Sequence, residues 1–117
     1  MARILIVDDE HLIAMMAQEW LEELGHETVG PAHDLASALA LSDGDVDAAV
    51  LDVLLGSDAS YPIASRLIDR GIPVAFATGQ AAEALPTEFE RTLTLPKPFG
   101  FENFRKVIEQ LLAHRAS

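Results

Sequence analysis

Asp8 and Asp9 end the apolar run Ile4-Leu5-Ile6-Val7, and Asp52 ends a second run, Ala48-Ala49-Val50-Leu51. Lys97, followed by Pro98, comes just after a third, Leu93-Thr94-Leu95-Pro96. Taken singly, each residue has an ordinary use. Asp9 can cap the helix that follows it, Asp52 can serve a turn, Thr78 can cap a helix and Lys97 can be surface charge. Taken together they are harder to explain. Two carboxylates about 4 Å apart repel by roughly 4 kcal/mol at an effective dielectric near 20. A site that gathers three of them persists when a cation binds there or when one carboxyl keeps its proton. Oxygen ligands without a nearby histidine or cysteine select a hard ion, Mg²⁺ or Mn²⁺, over Zn²⁺. Mg²⁺ takes one or two carboxylates and keeps several waters, which leaves room for a phosphoryl oxygen.

Whether these residues meet depends on the elements that carry them. Residues 3–7 read as a first strand, and a helix follows from Glu10 to Leu24 with Ile13, Met16, Ala17, Trp20 and Leu24 on one face. Gly25 closes that helix. Glu27–Val29 reads as a second strand stopped by Gly30-Pro31, and Asp34 caps a helix through Leu41. Asp47–Leu51 is a buried third strand, Gly56-Ser57-Asp58 a loop, and Tyr61–Arg70 a helix with Pro62 in its first turn. Pro73–Ala77 is a fourth strand. Residues 80–91 are ambiguous, because Ala81–Leu85 favours helix and Pro86 interrupts it. A fifth strand at Thr92–Leu95 and a helix from Phe101 to Leu112 follow. Strands alternating with helices predict an α/β fold, a doubly wound parallel sheet. Ligands of such sheets bind outside the carboxyl ends of the strands. Asp8, Asp9, Asp52, Thr78 and Lys97 all fall there.

The bulk numbers exclude several classes of function. With 117 residues the chain is read as one domain, residues 1–117. A net charge of −11 repels a phosphate backbone, so direct nucleic-acid binding is excluded and any control must run through a protein partner. The absence of cysteine removes thiolate nucleophiles and zinc–thiolate sites. No apolar stretch is long enough for a membrane span, and the first apolar run is too short for a signal-peptide core. The expected location is the cytoplasm. His11, His26, His33 and His114 show no metal-ligand spacing and read as surface or loop residues; Trp20 reads as core.

Four motifs in order resemble the receiver domain of two-component response regulators: Val7-Asp8-Asp9-Glu10, Leu51-Asp52, Thr78-Gly79 and Lys97-Pro98-Phe99. Each is common alone; the ordered set at these spacings is specific and covers the whole length. The resemblance implies a five-stranded, flavodoxin-like (β/α)5 sheet of strand order 2-1-3-4-5. It implies that Asp52 takes a phosphoryl group from the phosphohistidine of a sensor histidine kinase or a histidine phosphotransfer protein. A carboxylate is a poor nucleophile, but such a transfer rests on positioning and charge neutralisation. Asp9, Asp52 and the backbone carbonyl of Leu54 would ligate Mg²⁺, with Asp8 acting through a bound water. Lys97 would pair with the phosphoryl oxygens, Thr78 would turn its hydroxyl toward them, and the Lys97-Pro98 peptide would be cis. The implied protein is a phosphoacceptor, not an enzyme. Its chemistry is limited to self-phosphorylation and autodephosphorylation, after which it binds a downstream protein or passes the phosphoryl group on.

Two other readings fit parts of the pattern. A degenerate receiver would serve as a constitutive interaction module, against which the intact acids, threonine and lysine argue. A small phosphatase with an aspartyl-phosphate intermediate needs a general acid where Leu54 stands.

The chain also departs from the receiver pattern. Thr94 occupies the position, three before the lysine, where receivers usually carry an aromatic residue that relays the threonine's movement. The interval from Thr78 to Lys97 is short and contains Pro86, which predicts a shortened or irregular fourth helix. Phe76-Ala77-Thr78-Gly79 resembles a subset of stand-alone receivers linked to stress-response phosphorelays, but that pattern continues with a hydrophobic residue and Tyr, not Gln80-Ala81. The tail His114-Arg115-Ala116-Ser117 shows no linker, in keeping with a stand-alone protein. Leu54 and Gln80 flank the acceptor, and Gln80, which can orient a water, is expected to set the lifetime of the phosphorylated state.

Overall fold

A computed structural model describes residues 1–79 and 85–115. The elements, in chain order, are β1 (Arg3–Val7), α1 (His11–Glu23), β2 (Glu27–Ala32), α2 (Leu35–Leu41), β3 (Ala48–Asp52), β4 (Leu54–Leu55), β5 (Asp58–Ala59), α3 (Tyr61–Asp69), β6 (Val74–Thr78), β7 (Leu93–Pro96) and α4 (Phe101–Arg115). Five strands pair in parallel in the order β2-β1-β3-β6-β7. Counted within that sheet, this is the expected order 2-1-3-4-5.

The near-continuous apolar runs are explained by helices on both faces of the sheet. Successive side chains of a strand point to opposite faces. Ile4, Ile6, Ala48 and Val50 therefore enter one core, with α1 and α4. Leu5, Val7, Ala49 and Leu51 enter the other, with α2 and α3. Among the described residues, no helix is long and apolar enough to cross a membrane.

Three details differ from the sequence expectation. The most deeply buried residues of α1 are Ala14, Ala17 and Leu21. Ile13, Met16, Trp20 and Leu24 flank them, half-buried. Small alanines let the helix lie close to the sheet, and the larger side chains cover its edges. Strand β2 does not stop at Gly30-Pro31 but continues to Ala32. Gly30 lies at φ +91°, where a Cβ would come within 2.7 Å of the Ala32 nitrogen. The pairing register shifts between Leu5 and Val7. This irregularity on an edge strand accommodates a proline that cannot donate a ladder bond. The segment Gly56-Ser57-Asp58, expected as loop, turns a two-residue antiparallel ribbon, β4 with β5.

The shortened or irregular fourth helix expected within residues 80–91 falls in part, and the lifetime role of Gln80 wholly, on residues 80–84, which lie outside the described residues. Beyond them Thr87–Phe89 form a 3₁₀ turn with Phe89 buried. Phe89 stacks on Tyr61 at 5.4 Å between ring centroids and meets the edge of Phe76 at 5.3 Å.

Candidate functional site

Parallel pairing brings the carboxyl ends of β1, β3, β6 and β7 to one edge of the sheet. Asp8 follows β1, Asp52 is the last residue of β3, Thr78 the last of β6, and Lys97 directly follows β7. The backbone fixes this meeting point. The amide of Asp8 donates to the Ala32 carbonyl at 3.0 Å, so the unexpected extension of β2 holds the start of the acidic loop. The amide of Lys97 donates to the Thr78 carbonyl at 2.7 Å, which ties the lysine to the threonine's strand. The Lys97-Pro98 peptide is cis.

Lys97 is the hub. Its Nζ lies 3.0 Å from Asp8 Oδ2, 3.0 Å from Glu10 Oε1 and 3.3 Å from Asp52 Oδ2. Asp8 uses its other oxygen to accept the Glu10 amide at 2.9 Å, and Asp9 Oδ2 accepts the Gly56 amide at 2.8 Å. The ribbon β4–β5 is thereby pinned to the acids, with the Leu54 side chain exposed beside them. Thr78 is buried at the neighbouring strand end. His11 and His33, read from sequence as surface or loop residues, meet beside the site. His33 Nδ1 donates to the Asp8 carbonyl at 2.9 Å, and its ring stacks on His11 with centroids 3.8 Å apart.

Glu10 is the residue that the sequence motif contained without a role. Carboxylate oxygens of Asp8, Asp9, Glu10 and Asp52 all lie within 4.8 Å of one another. Four acids facing one ammonium leave a strongly negative pocket. Burial, then the charge of Asp8, pushes the Asp52 carboxyl up to about 7; the Asp9 carboxyl adds to this, and Lys97 only partly opposes it. For Lys97, burial works to lower the pKa, but hydrogen bonds to Asp8 and Glu10 and the charges of Asp8 and Asp52 win, so it is raised.

A pH dependence follows in metal-free solution. Unfolded, Asp52 ionises near its ordinary value of 3.8; folded, it holds its proton up to about 7. Between these values the folded state binds more protons, so stability falls as pH rises through the window and stays low above it. The Asp52 contribution should be on the order of 2 kcal/mol, kept below the full shift by contact with water. Urea unfolding in EDTA at pH 5 and pH 8 should show it, with Asp52→Asn as the reference. Equal slopes in the two proteins would contradict the assignment.

The all-oxygen donor set, with no thiolate or imidazole nitrogen among its close ligand atoms, fits a hard divalent cation such as Mg²⁺. Asp8, Asp9, Glu10 and Asp52 are the carboxylates within reach of such an ion.

A family model described as the response regulator receiver domain matches residues 4–109. The transcriptional regulatory protein PdtaR of Mycobacterium tuberculosis is 41% identical over 115 residues, 92% of this chain and 55% of that protein. The phyllosphere-induced regulator PhyR of Methylorubrum extorquens is 31% identical over 119 residues, 97% of this chain and 45% of that protein. The chain thus spans about half the length of the curated relatives it matches. Among solved structures, that of SdrG from Sphingomonas melonis Fr1 superposes with a TM-score of 0.80 at 40% identity, covering 100% of this chain and 98% of that one.

Proposed function

The chain belongs to the response regulator receiver domain family, and from that premise we propose that Asp52 accepts a phosphoryl group and signals its arrival to a protein partner. The observation that carries this reading is the contact of Lys97 with both Asp8 and Asp52 at the mouth of the acidic pocket. A structural ion pair would need one acid. Here one ammonium serves a crowd of them, leaving an excess of negative charge that a divalent cation would offset before a phosphoryl group arrives.

An Asp52 carboxylate oxygen attacks the phosphorus of a phosphohistidine. The P–N bond breaks, its electron pair stays on the imidazole, and that nitrogen takes a proton. Lys97 pairs with the phosphoryl oxygens and the Thr78 hydroxyl donates to them. Asp9, Asp52 and the Leu54 carbonyl are the groups that would hold Mg²⁺, with Asp8 reaching it through water. When bound, the ion neutralises charge on the phosphoryl oxygens. Donors of the phosphoryl group are a sensor histidine kinase or a histidine phosphotransfer protein in the cytoplasm. The acidic surface directs the output to a protein, not to nucleic acid.

Acetyl phosphate with Mg²⁺ should add one phosphoryl group, about 80 Da, to the intact protein. EDTA should prevent the addition. No mass gain under saturating donor and Mg²⁺ would leave a constitutive interaction module as the better description.

A further inference from the structure

An ammonium has three N–H donors. Three carboxylates, those of Asp8, Glu10 and Asp52, lie within 3.3 Å of Lys97 Nζ, one for each donor. An incoming phosphoryl oxygen can be met only if one of them lets go.

The three partners are held unequally. The Asp8 side chain is 5% exposed, Asp52 12% and Glu10 60%. Asp8 is also fixed by the Glu10 amide. Exposed ion pairs are weak, whereas separating a buried one leaves a charge stranded. Glu10 is therefore the partner that yields. Its place in the helix gives an independent indication. Glu10 is the N-cap residue of α1, yet its side chain makes no capping hydrogen bond. The carboxylate turns away from its own helix and reaches Lys97, 87 positions along the chain.

We propose that Glu10 is a positioning residue that occupies, in the unmodified protein, the Lys97 donor needed by the phosphoryl group. The contact is a latch: it parks the ammonium at the pocket mouth and must open before the lysine meets the phosphoryl oxygens. This rests on the phosphoacceptor reading of Asp52.

The test compares wild type, Glu10→Gln and Glu10→Asp. Label appearance is followed by intact mass with acetyl phosphate, and separately with phosphoramidate, across a Mg²⁺ titration. Aspartate keeps the charge but is one methylene short of Nζ. Both variants should therefore label about two- to five-fold faster at saturating Mg²⁺, with either donor and with nearly unchanged melting temperature. In ¹⁵N NMR, the Lys97 ammonium protons should exchange with water faster in both variants than in wild type.

A gain in Glu10→Gln alone, or with the dianionic donor alone, would mean that charge acts through space and would overturn the latch. Slower labelling, or only a higher Mg²⁺ requirement, would assign Glu10 to the metal and overturn it too. Unchanged rates beside a wild type that labels would overturn this inference and leave Asp52 as acceptor. A wild type that never labels would overturn the acceptor reading, and the latch with it.

Discussion

Asp52→Asn is expected to abolish phosphoryl labelling while making the metal-free protein more stable. The amide has no anionic oxygen to form the acyl phosphate, so the mass gain of about 80 Da should vanish. In the folded wild type, burial and Asp8 oppose ionisation of Asp52 and hold its pKa at about 7. Above that pH the carboxylate is ionised against its surroundings, and replacing it removes a like charge from the cluster. The gain should be on the order of 2 kcal/mol near pH 8 in EDTA, read as a higher urea midpoint. Loss of labelling together with a gain in stability separates a functional group from a structural one, since a structural aspartate would destabilise when replaced. Persistent labelling of the variant would move the acceptor to another carboxylate, Asp9 being the nearest candidate, and would sink the assignment.

Lys97→Met is expected to fail in the opposite way. The methionine side chain fills similar space without the charge, so Asp8 and Asp52 lose the cation that contacts them both. Removing one partner of a largely buried pair should destabilise the metal-free protein by about 3 kcal/mol. Mg²⁺ should then recover more stability in the variant than in wild type, because the ion replaces part of the missing positive charge. Labelling should nevertheless fall by roughly 10²-fold even at saturating Mg²⁺, the scale seen when a donor to developing negative charge is deleted. Urea melts with and without Mg²⁺, beside intact-mass labelling, read both effects. A variant that labels at the wild-type rate would remove Lys97 from the phosphoryl chemistry.

Much of the fold can be read from local pattern. Apolar runs ending in Asp8, Asp52, Thr78 and near Lys97 gave strands whose parallel pairing alone brings those residues to one edge. The Asp34 cap was equally legible, since its side chain accepts from the Ser37 amide at 2.8 Å as an N-cap does. What escaped depends on distant partners. Gly30-Pro31 reads locally as a stop, but pairing with β1 carries β2 through an irregularity to Ala32. A two-residue ribbon such as β4–β5 is too short for any period to register. The stacked pair His11 and His33 comes from the start of α1 and the connection between β2 and α2, and nothing in either neighbourhood announces the other. Glu10 illustrates the limit best. Before a helix, an acid is explained well enough by the helix dipole, and only the folded chain reveals that its carboxylate faces Lys97.

Trp20 is the only tryptophan of the chain, and the rings of Phe99, Phe101 and Phe104 surround it at centroid distances of 6.2, 5.7 and 5.6 Å. Phe99 stands two residues beyond Lys97 and shares the Trp20 core. A shift of the lysine loop therefore reaches an indole, whose emission changes with the packing and polarity around it. The protein carries a built-in optical gauge on the side of the sheet away from the Tyr61 and Phe89 rings. Occupancy of the pocket is expected to register as a change in Trp20 emission, followed in unlabelled protein and in real time.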